Sequence, residues 1–147
     1  MNKRFLSFTG FLVFFLACSL SSSSLSKRTY HYFPNKTILH GILRQQNHFG
    51  APGFGETPKV DAKVTIYVIE LDTPITVLPD LTDKDTPNSD PSHHVRLVQL
   101  FWDHDTEKLK PISLLGKHIS VTGTLDEQIA PGQYTNVTMS VLSFHQD

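Results

Sequence analysis

Leu115-Gly116-Lys117-His118-Ile119-Ser120-Val121-Thr122-Gly123-Thr124-Leu125 alternates without interruption from His118 onward. Ile119, Val121, Gly123 and Leu125 share one side, and His118, Ser120, Thr122 and Thr124 share the other. A period of two over this length predicts a half-buried strand. Gly116 ends whatever precedes it, and Gly123 inside the strand marks a bend or a close approach of another backbone. Such a strand needs partners, and the flanking sequence offers four. Thr37–Gln46 carries Ile38, Leu39, Ile42 and Leu43, while Lys63–Leu71 alternates Val64, Ile66 and Val68 against Thr65 and Tyr67. A short extension, Pro74–Leu78, follows the second of these. His94–Trp102 is rich in β-branched and aromatic residues, and Tyr134–Phe144 alternates Val137, Met139 and Val141 against Thr138 and Ser140.

Between the third and fourth predicted strands, Asp103 or Asp105 can cap a short helix running toward Leu115, kept irregular by Pro111. Five strands with one short helix in that position is the order of the OB-fold, a small, partly open Greek-key barrel. The expected fold is therefore mainly β, a five-stranded OB-like barrel over residues 36–147. A small β-sandwich is the competing architecture. The connections are read as loops: Asn47–Ala62, with its glycines and prolines, and the polar Pro79–Ser92, in which nothing is expected to be buried.

The chain opens with Lys3 and Arg4, followed by an almost uncharged apolar run of 16 residues from Phe5 to Leu20. That falls short of the roughly 20 residues a membrane-spanning helix needs, and matches a secretory signal peptide over residues 1–20. Cys18, the only cysteine, closes Phe15-Leu16-Ala17-Cys18, which resembles a lipoprotein signal cleaved before a lipid-modified Cys18. Conventional cleavage among the small residues that follow is the alternative. Residues 21–35 read as a flexible lead-in, serine-rich at first and aromatic at Tyr30–Phe33. The expected location is outside the cytoplasm, in the periplasm or on a membrane as a lipoprotein. The body downstream holds no cysteine, so no internal disulfide can form even in an oxidising compartment.

Lys and Arg total 13 against 14 acids; without Lys3 and Arg4 the balance becomes 11 against 14, a formal charge of −3. That argues against a general nucleic-acid binder, which must displace phosphate counterions with a basic surface. A membrane is expected as a partner only through the N-terminal segment.

Three stretches resemble a family of small exported bacterial proteins of uncharacterised function. They are Leu39-His40-Gly41-Ile42-Leu43 followed by His48-Phe49-Gly50-Ala51-Pro52-Gly53-Phe54-Gly55-Glu56, then Val68-Ile69-Glu70-Leu71-Asp72-Thr73-Pro74-Ile75, then Leu115–Leu125. The resemblance spans roughly Thr37 to Leu142. It implies export and one β domain, and brings no activity with it. The loop before the last strand often carries adjacent histidines in that family; here it reads Pro131-Gly132-Gln133-Tyr134-Thr135.

No motif supplies a complete catalytic set, and none calls for a cofactor. Gly50–Thr57 has the glycine spacing of a phosphate loop, but Glu56 stands where the lysine would be and would repel a phosphate. His93-His94 would point to opposite faces of a strand. Asp80, Asp83 and Asp85 lack the glycine and terminal glutamate of a calcium loop. Asp103-His104-Asp105 has no nucleophile nearby in a recognisable elbow. His40 and His118 fall on strands that pair in an OB-fold, as outward-facing neighbours.

The surface singled out is geometric. OB-folds bind ligands on the face of strands two and three, framed by the loops joining strands one to two and four to five. Here those loops contribute His48, Phe49, Phe54, Gln133 and Tyr134. The aromatic residues either fold back over the barrel end or form a platform for a sugar, peptide or protein. The expected function is a non-catalytic binding module for an unidentified envelope ligand or protein. The alternative is a small metal-dependent or histidine-based hydrolase.

Overall fold

Alternating apolar residues organise the protein into strands from Arg28 onward. The computed structural model describes residues 28–82, 88–102 and 112–147. The strands are β1 (Arg28–His31), β2 (Lys36–Phe49), β3 (Lys63–Leu78), β4 (Ser92–Phe101), β5 (His118–Glu127) and β6 (Val137–Gln146). The expected signal segment with Cys18, the expected helix-cap residues Asp103 and Asp105, and Asp83 and Asp85 all lie outside the described residues. Of the short helix expected before β5, the described residues contain a single 3-10 turn at Ile112–Leu114.

The strands form one sheet in the order β1-β3-β2-β5-β6-β4, and β4 also pairs with β3, so the pairings return to β3. Neighbours among β2, β3, β4, β5 and β6 are antiparallel except β4 with β6, which run parallel. The protein is thus mainly β, as the alternation predicts. In β5 the alternation holds closely: Ile119, Val121 and Leu125 are fully buried while His118 is exposed. Ser120 departs from it. It is buried as well, for a polar reason described below.

Three expectations change. The chain joins the sheet earlier than residue 36: β1 pairs in parallel with the end of β3, and Tyr32 is fully buried with its hydroxyl donating to Ser92 Oγ at 3.0 Å. The second strand and its extension are one 16-residue strand running through Pro74. Proline is tolerated there because it sits in a gap. Pairing with β2 ends at Leu71, pairing with β1 begins at Ile75, and the β4 register shifts between Glu70 and Ile75. The excursion after β3 also buries a residue, Asn88, whose Oδ1 accepts from the Glu127 amide at 2.7 Å. A buried polar group is acceptable when paired in this way.

Gly123 does what its position predicts. The β5–β6 register shifts between Thr122 and Gly123, and a methyl group on Gly123 would collide with the Ser140 carbonyl oxygen. Gly41 in β2 meets the Glu70 carbonyl in the same way. Neither obstacle can rotate aside, because both are backbone. Gly41→Ala and Gly123→Ala are each expected to lower unfolding free energy by about 1–3 kcal/mol, the usual cost of overpacking. Urea denaturation against the parent chain measures this.

Candidate functional site

The connection after β2 is shorter than expected because β2 runs on to Phe49, two residues past the predicted loop start at Asn47. His48 pairs with Val64 and Phe49 with Lys63, so both predicted site residues stand on a strand rather than in a loop. Reciprocal bonds, Gly50 N–H to Ala62 O at 2.7 Å and Ala62 N–H to Ala51 O at 3.0 Å, close the base of the loop that follows.

Asp61 shapes that loop from inside. Its carboxylate accepts the amides of Gly53 and Gly55, each at 2.8 Å, the amide of Thr57 at 3.1 Å and the Thr57 hydroxyl at 2.7 Å. Burial alone would push the carboxyl pKa up, but the bonds from Thr57, Gly55 and Gly53 outweigh it and hold the group below the usual carboxylate range. The loop so fixed keeps Phe54 in the left-handed region, at φ 49°, with the residue 44% exposed. A bulky residue there is strained.

The connection from β5 to β6 is fixed by two side chains. Gln133 Oε1 accepts the amides of Ile129 and Ala130, at 2.7 and 2.8 Å. Buried Gln99 of β4 accepts the Tyr134 amide at 2.7 Å and donates to Gly132 O at 3.1 Å, while its own amide donates to Thr135 Oγ1 at 2.9 Å. Tyr134 then reaches the first loop: its ring stacks on His48 with centroids 4.2 Å apart, and its hydroxyl donates to Phe49 O at 2.8 Å.

The two loops enclose an open cleft of about 660 Å³, with Phe54 and Glu56 on one wall and Ile129, Gln133 and Tyr134 on the other. Of the predicted residues, Phe54, Gln133 and Tyr134 line it. His48 and Phe49 stand behind, supporting Tyr134. Sequence reasoning missed Asp61 and Gln99, which position the loops, and Glu56 and Ile129, which face the cleft. A Thr57-x-x-x-Asp61 spacing behind two glycines was the available signal for Asp61; nothing local marks Gln99.

A second polar cluster lies across β2, β3, β5 and the end of β6. His118 Nε2 lies 2.8 Å from Asp72 Oδ2 and its Nδ1 lies 2.7 Å from Asp147 Oδ2. Ser120 donates to Asp147 Oδ1 and sits 2.9 Å from His40 Nδ1. Since the serine proton goes to the carboxylate, His40 Nδ1 must be the donor to Ser120 Oγ. His40 thus faces Ser120 across the β2–β5 ladder, not His118. This Ser–His–Asp group is wired opposite to a nucleophile and its base, and Ser120 is buried. It works as a clasp holding four strands.

The remaining described candidates lie outside the cleft, although His93 and His94, expected on opposite faces, line one depression together because His94, at φ 55°, breaks the strand alternation. His93 and His94 are both in β4 and exposed, and Asp80 is occupied by Asn35 Nδ2 at 2.6 Å and by Thr82. Asp103-His104-Asp105 lies outside the described residues. Among the described residues no group of three or more His, Cys, Asp or Glu side chains is arranged to hold a metal ion, and no helix is long and apolar enough to cross a membrane. Comparison with family models, with curated proteins and with solved structures finds no match to the chain.

Two outcomes follow from these arrangements. Asp61→Ala is expected to raise amide hydrogen exchange at Gly53, Gly55 and Thr57 by about tenfold or more, leaving Val121 unchanged, because only a local opening is made easier. The clasp predicts a pH dependence. Bonds to Asp72 first and Asp147 second raise the His118 pKa, while Ser120, opposed by burial and helped by His118, lowers that of Asp147. The histidine's contribution is full below its unfolded value of about 6.5 and is lost as pH rises through the raised folded value. The aspartate's contribution is full above about 3.9 and is lost as pH falls through the depressed one. His118→Gln should therefore flatten the alkaline fall in thermal midpoint recorded across pH 5–9.

Proposed function

We propose that this protein is an exported binding module of the bacterial cell envelope, built as a small OB-like Greek-key barrel with β1 as an added strand. Support for the barrel comes from the pairing pattern of β2 to β6. Each pair an OB-fold needs is present, including the parallel one between its third and fifth strands, here β4 and β6. Support for export comes from the basic start, the short apolar run and the resemblance to exported bacterial proteins. Cys18 is the candidate lipid anchor, and the location is the periplasm or a membrane reached through that anchor.

The observation that carries the binding reading is the cleft between the Gly50–Ala62 and 128–136 loops. In an OB-fold these are the two loops that frame the ligand face. Its exposed aromatic and apolar residues are held by polar groups that are themselves satisfied, so the surface is formed before a ligand arrives. The site acts without catalysis in this reading. A small metal-dependent or histidine-based hydrolase is the competing reading; among the described residues the His40–Ser120–Asp147 contact favours it, and that contact points the serine proton at a carboxylate.

A thermal-shift panel of cell-wall fragments, glycans, short peptides, divalent metals and single-stranded DNA tests the binding reading. At least one organic ligand is expected to raise the midpoint. Phe54→Ala and Tyr134→Ala are expected to weaken that ligand by about 10-fold or more, as loss of an aromatic anchor does. Ligands indifferent to both substitutions would sink the proposed face. Mass spectrometry of the isolated protein should find a chain beginning at a lipid-modified Cys18 or within the serines after it; a chain retaining Met1 overturns export with cleavage.

A further inference from the structure

The loops that form the cleft have spent nearly all their backbone N–H donors on themselves. Pro52 and Pro131 have no N–H to offer. Every other lining residue except Gly132 has its backbone N–H engaged within the protein: Gly53 by Asp61, Phe54 by Gly50 O, and Glu56 by Gly53 O on one wall. On the other wall Gln133 Oε1 takes those of Ile129 and Ala130, Asn136 O takes that of Gln128, Ala130 O takes that of Gln133, and Gln99 takes that of Tyr134. The side chains follow this only in part, since both N–H groups of Gln133 Nε2 remain uncommitted. Gln128 Nε2 donates to Gln133 O at 2.5 Å and the Tyr134 hydroxyl to Phe49 O. Acceptors remain. Glu56 presents an exposed carboxylate that no hydrogen bond or ion pair described above engages, and each carbonyl oxygen can accept twice. Beside them stand the exposed ring of Phe54 and the side chain of Ile129, 57% exposed.

A cleft whose one charged lining side chain is a carboxylate, set beside an aromatic ring, disfavours phosphates and carboxylates and suits a cation carrying several N–H groups on an apolar stem. Resting on the binding reading above, we propose that the cleft receives the arginine or lysine side chain of a polypeptide. The charged head meets Glu56 and the free carbonyls, and the stem lies against Phe54 and Ile129. The proposal names a class of partner for the same cleft: a protein segment with an exposed basic side chain.

The test is a titration of the ¹⁵N-labelled chain with three blocked tripeptides, acetyl-Gly-Arg-Gly-amide, acetyl-Gly-Leu-Gly-amide and acetyl-Gly-Glu-Gly-amide. The arginine peptide is expected to move the amide signals of Gly53, Glu56 and Gly132, binding about 10-fold more tightly than the leucine peptide. Glu56→Gln should erase that preference while leaving the spectrum of a folded protein. Asp90→Asn, which removes an exposed carboxylate outside the cleft, should leave the preference intact and so exclude attraction to bulk negative charge. Equal binding of the leucine and arginine peptides at those signals overturns the cation assignment and leaves the binding reading standing. Preference for the glutamate peptide, failure of the arginine peptide to move them, or loss of its preference in Asp90→Asn equally overturns the assignment. If every ligand of the wider panel also leaves these signals unmoved, the binding reading fails too.

Discussion

Both edges of Lys63–Leu78 are hydrogen-bonded, and the arrangement of the other strands follows from how its backbone is satisfied. A buried N–H or C=O without a partner is costly, so a long interior strand must be flanked along its length. β2 covers one edge as far as Leu71 and β1 takes over from Ile75, while β4 covers the other edge. The handover falls at Asp72–Pro74, where the proline lacks an N–H to pair. Because β4 also pairs with β6 and β6 with β5, satisfying one strand draws in the whole sheet. The only cysteine, Cys18, lies outside the described residues and has no second cysteine to pair with, so this network and the apolar residues inside it carry the stability.

The loops are held by a different device. Loops have no ladder, and each here is organised around a single polar side chain: Asp61 for the first, and Gln99, helped by Gln133, for the second. Asp61 and Gln99 are buried, which strengthens their hydrogen bonds and makes any substitution that leaves a partner unpaired expensive. On the binding reading proposed above, the consequence is a lower ordering cost. A cleft whose walls are already fixed gives up little loop entropy when a ligand enters.

Legibility in the sequence followed the range of the interaction. The alternation of Ile119, Val121 and Leu125 is local, and it revealed β5 without help from elsewhere. Gly123 was readable for the same reason. Pro74 looked like a break because its harmlessness depends on where β1 and β2 pair with β3, which no local pattern records. β1 itself is four residues long and mostly exposed, with no alternation to announce it. His48 and Phe49 looked like loop residues because glycines follow closely, yet the pairing with Val64 and Lys63 carries the strand through them. Phe54, Gln133 and Tyr134, named from the loops of the expected fold, do line the cleft between the two connections. Gln99 and the His118–Asp72 contact were not foreseen, since each joins residues more than 30 positions apart through side chains that only the register brings together.

A loop that satisfies its own amides always retains spare acceptors, because each N–H donates once and each carbonyl accepts twice. A surplus of acceptors is therefore a general property of self-supporting loops and does not by itself mark a binding site. What sets this cleft apart is the apolar surface it displays. Left-handed backbone costs a residue with a Cβ roughly 1–2 kcal/mol, and glycine is the residue that adopts it freely. Gly55, next in the chain, has a positive φ and supplies such a turn position, yet Phe54 before it is held there too, with its ring toward solvent. Folding the ring inward would recover apolar burial, and a small residue would relieve the backbone. Neither has happened, and four hydrogen bonds to Asp61 maintain the costly arrangement. Strain held in place beside an exposed aromatic ring is better explained by what the ring meets than by the fold that carries it.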